Sequence, residues 1–381
     1  MPVPLYKMVL ESVIDEIRSN RLKVGDKVLS EKALAEKFGV SRITSKHALN
    51  KLQEMGVITR VRGKGSFVSS HTETSNNVTK LTQESRPQMS VREGVIGMIV
   101  PGFADTYGAT LVHAVEKRAW EHGLYVMLKD TYGYLNVEEQ AISDMVARGC
   151  GGLVIFPVHG ERYNERILRL QLDHFPVVLV DRYLPGVPVP SVHTDNVAAA
   201  EELTDHLIEM GHRNIAFVSP PPESTSSIED RLLGFSHSFA KNRMAMYPQN
   251  VVTEVHSTLT LDGSEKTQLI QEDLELIRSF VEEHPEITAF LACEYEIMLL
   301  IEKVLSQLGY NIPSQCSVAC FDSPRNTTAP SRFTHIDQDE NQIGMTAVDL
   351  LVARMKGETV PVATTIPHTL VRSASTAPVR D

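Results

Sequence analysis

The stretch SRITSKHALNKLQEMGVITRVRGKGSF, residues 41–67, sets Arg42, Thr44, Ser45 and Lys46 at the start of a helical pattern and carries Arg60, Arg62 and Lys64 into a glycine-broken tip. Side chains at the amino end of a helix reach base edges when that helix enters the DNA major groove, while flanking cations neutralise phosphates. Arg42 is therefore the candidate for a guanine edge, and Thr44 for a phosphate or a thymine methyl, with Ser45 beside them. Lys32 and Lys46 are candidates for setting register on the backbone; a lysine keeps the charge of an arginine but not its bidentate fork. Gly63 and Gly65 let the tip approach the duplex and bring Lys64 to phosphate or minor groove, with Arg60 and Arg62 alongside.

A second set of polar residues follows apolar, strand-like runs. Asp105 and Tyr107 come after VIGMIVP, Arg182 after PVVLVD, Glu294 and Tyr295 after AFLAC, and Asp322 after CSVACF; Arg231 and Gln338 complete the set. In two-lobe α/β folds ligands bind at the carboxyl ends of the strands, which is where these residues stand. Carboxylates accept from hydroxyls, a guanidinium bridges two adjacent ones, and an aromatic face covers C–H surface, so the set suits a small sugar. Arg182 and Asp195 serve equally well as braces of the crossing between lobes. Packing for Tyr107 and a lysine partner for Glu294 are competing uses.

Helical spacing from Leu5 to Ser19, an N-cap at Ser30 before EKALAEKFG, and an N-cap at Ser41 predict three helices, the last two joined by a tight turn at Gly39. VITRV, RGKG and SFV then read as a two-stranded wing. Residues 71–93 are polar and without sustained period, as in a linker. From Gly94 apolar runs alternate with amphipathic helices, the pattern of parallel sheets covered on both faces. Trp120, in KRAWEHG, is expected to pack in a core, and His212 to serve a turn.

The chain of 381 residues has net charge −11, yet residues 1–70 alone hold 13 Lys+Arg against 7 Asp+Glu, a local +6. Positive charge confined to one small domain points to local attraction to a polyanion. The four cysteines lack metal-ligand spacing and no HExxH, GxxxxGK or GxSxG is present, so neither a metal, a cofactor nor an enzymatic reaction is expected. With no run of about 18 apolar residues, neither a membrane span nor a membrane partner is expected, and a cytoplasmic location is.

Residues 1–70, with SEKALAEKFGVSRIT and GKGSFV, resemble the winged helix-turn-helix of the GntR family of bacterial transcription regulators. Residues 94–381 are similar to the LacI/GalR-type effector domain, on IGMIVP, the run from PVVLVDRYLPG to HRNIAFVS, RLLGF, CSVACFDS and DENQIGMTAVDLL. The combination resembles arabinose-responsive repressors. It implies a multidomain fold, an N-terminal winged helix-turn-helix (helices with a small β wing) followed by an α/β two-lobe domain of the type I periplasmic-binding-protein kind with parallel sheets. The expected division is 1–70 for the reader, 71–93 for the linker and 94–381 for effector binding and dimerisation. Within the last, lobe one is set at about 94–192 and 326–357 and lobe two at about 193–325 and 358–381. The resemblance implies ligand contacts from Tyr107, Arg231 and Asp322, and a homodimer on double-stranded operator DNA released by a small-molecule effector. L-Arabinose is the first candidate. A purine or nucleoside, a phosphorylated metabolite, and activation or corepressor dependence stay open.

Overall fold

A computed structural model describes residues 9–10, 12–13, 16–17, 22–23, 25–54, 57–61, 64–69, 94–160, 164–259, 263–325 and 330–379. The expected linker, most of the first helix, Arg62 and Gly63 lie outside these. The chain separates into two units, 1–88 and 89–381.

In the first unit, helical residues within 9–17 precede α1 (Glu31–Phe38), α2 (Arg42–Glu54) and the antiparallel strands β1 (Ile58–Val61) and β2 (Gly65–Val68). Ser30 Oγ accepts from Ala33 N at 3.2 Å, and Gly39 ends α1 at φ 63°, a left-handed conformation glycine adopts without steric cost. Ser41 Oγ accepts from Thr44 N at 3.1 Å to start α2. Val9, Val13, Leu34, Leu49, Leu52, Ile58 and Val68 form one buried cluster, so each helix and the wing contribute to a common core.

The second unit holds two six-stranded sheets. The first runs β4 (Tyr125–Asp130), β3 (Val95–Val100), β5 (Leu153–Ile155), β6 (Val177–Val180), β7 (Ser191–Thr194) and β13 (Ala363–Ile366), all parallel. It is covered by α3 (Ala109–Glu121), α4 (Leu135–Ala147), α5 (Glu165–Leu172) and α10 (Glu340–Met355). The second runs β9 (Val251–Val252), β8 (Ile215–Val218), β10 (Ala289–Ala292), β11 (Ser317–Phe321), β12 (Thr334–Gln338) and β14 (His368–Val371), with only the β12–β14 pair antiparallel. Its faces carry α6 (Asn196–Glu209) and α7 (Ser226–Lys241) on one side, α8 (Gly263–Glu283) and α9 (Tyr295–Gln307) on the other. Strands buried on both faces are apolar throughout, as in VVLV and IAFV.

The chain crosses between lobes three times, after β7, β12 and β13. Asp195 and Asp339 start the helices at the first two crossings, each accepting from the backbone N–H three residues on, at 3.0 Å. The expected lobe limits need correction. β12 lies in the second sheet although 326–357 was assigned to lobe one, β13 lies in the first although 358–381 was assigned to lobe two, and the first sheet extends to Thr194. Strand-to-strand hydrogen bonding, which apolar runs do not encode, decides membership.

Trp120 is also corrected: it is 61% exposed and meets Tyr125 edge-on at 5.6 Å. All four cysteines are buried as free thiols. His212, expected to serve a turn, instead follows the turn at Gly211 and is buried between Thr288 Oγ1 at 2.9 Å and the Ala377 carbonyl at 3.1 Å. Among the described residues no helix is long and apolar enough to cross a membrane, and no cluster of His, Cys, Asp or Glu is placed to hold a metal ion.

Candidate functional sites

On the first unit, Arg42 opens α2, and Lys46 follows one helical turn later on the same face; both are exposed and without an ion pair among the described residues. Lys64 is exposed in the turn between the wing strands, where its N–H donates to the Val61 carbonyl at 3.0 Å, and Gly65 follows at φ 119°. A Cβ at Gly65 would stand 2.8 Å from Lys27 Cε, so a side chain there would push that lysine aside. Lys32 is exposed, 3.9 Å from Glu36. Arg42, Lys46 and Lys64 thus carry exposed positive charge without an ion pair among the described residues, while Lys32 stands beside Glu36.

Three other candidates have different places. Ser45 is fully buried and its hydroxyl turns back to the Ser41 carbonyl at 3.3 Å, so it supports the helix start and offers no contact to DNA. Thr44 is half-buried, its hydroxyl sharing a 2.8 Å hydrogen bond with Ser41. Arg60 donates to Asn50 Oδ1 at 2.5 Å and pairs with Glu31, tying the wing to α1 and α2. The brace, formed by residues 29 apart in sequence, was invisible to a count of charges.

In the second unit a cavity of about 420 Å³ lies between the lobes at the carboxyl ends of the strands. Lobe one contributes Tyr107, Phe156, His159, Asp181 and Arg182, and lobe two Arg231, Glu294, Asp322 and Gln338. Arg231, 5% exposed, donates from Nε to Asn196 Oδ1 at 2.8 Å and from one terminal nitrogen to the Cys293 carbonyl at 2.7 Å, and its guanidinium lies 3.9 Å over the Phe321 ring. That geometry locks the guanidinium plane before any ligand arrives. Asp322, at φ 66°, accepts from Gln338 Nε2 at 2.9 Å, and burial, with Glu340 and Asp181 nearby, holds its carboxyl well above the usual range.

The opposite wall is aromatic and cationic. Arg182 stacks 5.0 Å from the Phe156 ring centre and donates to the Pro157 carbonyl at 3.0 Å. Its Nε stands 3.5 Å from Asp181 without hydrogen-bond geometry and has no other partner. Tyr107 meets Phe156 edge-on at 6.1 Å; its buried hydroxyl has no partner, and burial, with Asp181 and Asp322 nearby, pushes the phenol up. The Gln338 carbonyl oxygen is likewise buried and unpartnered. Burial lowers His159 to about 4, so its imidazole is neutral at pH 7. Burial in the cavity wall also raises Glu294. Unpartnered buried donors and acceptors converging on one cavity are the polar fixtures a hydroxylated ligand would satisfy.

Two expected contacts are corrected. Asp105 is exposed and outside the cavity lining, because the loop turns between Ala104 and Thr106. Tyr295, 8% exposed, packs on Phe333 at 5.6 Å within the core of the second lobe, since Glu294 at the helix N-cap takes the cavity side. Asp181 and Phe156 were missed. Both follow apolar strands and carried the same signal that selected Arg182. Asp195 caps α6, the bracing alternative.

Comparison with known proteins adds three findings. Residues 5–68 match the bacterial regulatory proteins of the gntR family, and residues 204–376 match the periplasmic binding protein-like domain. An arabinose metabolism transcriptional repressor of Geobacillus stearothermophilus is 27% identical over 363 residues, covering 94% of this chain and 93% of that protein; a namesake from Halalkalibacterium halodurans is 22% identical over 93% and 90%. The transcription regulator CcpA of Lactococcus lactis superposes with a TM-score of 0.65 at 19% identity, over 75% of this chain and all of that one.

Proposed function

Because the chain joins a gntR-family helix-turn-helix to a periplasmic-binding-protein-like domain, we propose that it is a transcriptional repressor whose operator affinity is lowered by a small carbohydrate, with L-arabinose the first candidate. The observation that carries the sugar reading is the cavity itself, where Asp181 and Asp322 supply acceptors, the locked Arg231 a donor, and Phe156 and Tyr107 apolar surface. The relatives named for arabinose metabolism support the choice of pentose.

On the DNA side, Arg42 reads a base edge, Lys46, Lys64 and Lys32 engage phosphates, and Thr44 approaches through its methyl. Two copies of the chain present two readers to a roughly palindromic site. The effector acts by linkage: it favours the arrangement in which the readers fit the operator less well, a coupling typically of about 1–3 kcal/mol. A phosphorylated or acidic sugar is favoured by one feature, the Lys266 ammonium on the cavity wall, which has no ion-pair partner among the described residues.

Calorimetric titration of the full chain with pentoses, hexoses, sugar phosphates and nucleosides tests the reading, joined to anisotropy on fragments of its own promoter region. Saturable binding of L-arabinose with loss of DNA binding is expected. Binding only to a nucleoside would overturn the sugar assignment, and tighter DNA binding with effector would overturn induction.

A further inference from the structure

The rim of the cavity is stitched by protein alone. Thr106 Oγ1, in the loop after β3, donates to Glu296 Oε1 of α9 at 2.7 Å. The Gly160 N–H and His159 Nδ1, in the loop after β5, both meet Thr225 Oγ1 at the start of α7, each at 3.0 Å. After β6, the Tyr183 N–H donates to Ser226 Oγ at 2.9 Å, and the Tyr183 hydroxyl reaches both Asp230 carboxylate oxygens at 3.1 and 3.2 Å. Three successive lobe-one loops thus bond directly to the starts of two lobe-two helices. Tyr183 does not line the cavity, so its bonds are independent of any ligand.

We infer that Tyr183, Thr106 and Thr225 are positioning residues that latch the lobes together, so that the latch sets the open-to-closed ratio of the sensor and, through it, effector affinity. A ligand shifts a two-state equilibrium only by its differential affinity, and apparent affinity scales with the fraction of chains already in the competent state. Latch bonds raise that fraction before binding, and removing them lowers it. The apparent Kd then rises in proportion to one plus the open-to-closed ratio.

The test uses the full chain with spin labels at Lys129→Cys and Glu254→Cys, exposed positions on the two lobes. They flank the place where Gly133 faces the Leu259 carbonyl, at 2.8 Å from a Cβ built on that glycine. The native thiols are buried, so the labels go to the new sites. Without effector, one short-distance population is expected. Tyr183→Phe, which keeps the ring against His193, and separately Thr106→Val, are each expected to raise the open-to-closed ratio about tenfold, and Tyr183→Phe, outside the cavity lining, to weaken L-arabinose binding only by the factor by which the closed fraction falls. Long distances in the unsubstituted ligand-free chain, or an unchanged distribution in both variants, would overturn the latch. The distances need no ligand, so a failure of L-arabinose to bind would count against the effector reading and leave the latch to be judged on them.

Discussion

Asp322→Asn is expected to stabilise the ligand-free sensor and weaken effector binding at once. Asparagine tolerates the 66° φ at this position and can still accept from Gln338, so shape and hydrogen bonding survive while the charge goes. That charge is buried and faces Asp181 and Glu340, with attraction to Arg231 offsetting part of its cost. Removing it is expected to stabilise the lobe by about 1–2 kcal/mol. At about 2–3 °C per kcal/mol for a domain of this size, the sensor transition rises roughly 2–6 °C at pH 7. Hydrogen bonds to a charged acceptor are worth about 1–2 kcal/mol more than neutral ones, so L-arabinose affinity drops roughly 5–30-fold. The pH dependence follows from the same burial. The folded carboxyl holds its proton to higher pH than the unfolded one, so stability falls as pH rises above the ordinary carboxylate range through the raised folded value. The slope is shallower in the variant and not abolished, because burial also raises Glu294 and Glu340. Scanning calorimetry across pH, with calorimetric titration of the sugar, reads both quantities. A lower melting temperature with unchanged affinity would refute the reasoning.

Lys64→Ala is expected to weaken operator binding and flatten its log–log salt dependence by about one, Arg42→Ala to weaken it and relax base preference at one position, and Arg60→Ala to lower affinity through a loosened wing with salt slope and base preference unchanged; anisotropy at several salt concentrations on operator variants separates them. Ser41→Ala removes the acceptor for the Thr44 N–H and is expected to cost the reader about 1 kcal/mol in chemical denaturation, with Ser45→Ala leaving DNA affinity nearly unchanged. Gly234→Ala sets a Cβ 2.1 Å from the Val197 carbonyl and 2.9 Å from Ala200 Cβ, where α7 packs on α6, and is expected to destabilise the second lobe by roughly 1–3 kcal/mol in urea titration.

What the sequence makes legible is local. Caps at Ser30 and Ser41, the turn at Gly39 and the alternation of apolar strands with amphipathic helices are properties of neighbours along the chain, and each expectation matches the structure. Asp322 and Gln338 meet in the cavity because residues at the carboxyl ends of parallel strands must converge there, and Arg231 joins them from within α7. The failures involve direction or distance. One residue's rotation separates Glu294 in the cavity from Tyr295 in the core, and a strand-end signal carries no angle. Arg60 looks like a phosphate contact until Asn50 and Glu31 are found beside it. Trp120, apolar in type, is exposed because its helix presents that side away from the sheet.

The last two strands have a bearing on how the molecule is made. β13 is the outermost strand of the first sheet and β14 that of the second, although only Pro367 separates them. The first lobe cannot acquire its final strand until the ribosome has released residue 366, nor the second until residue 371, so two halves begun some hundred residues apart reach completion within moments of each other. A nascent chain stalled before that point displays two unpaired sheet edges at once, both open to strand addition by a neighbour.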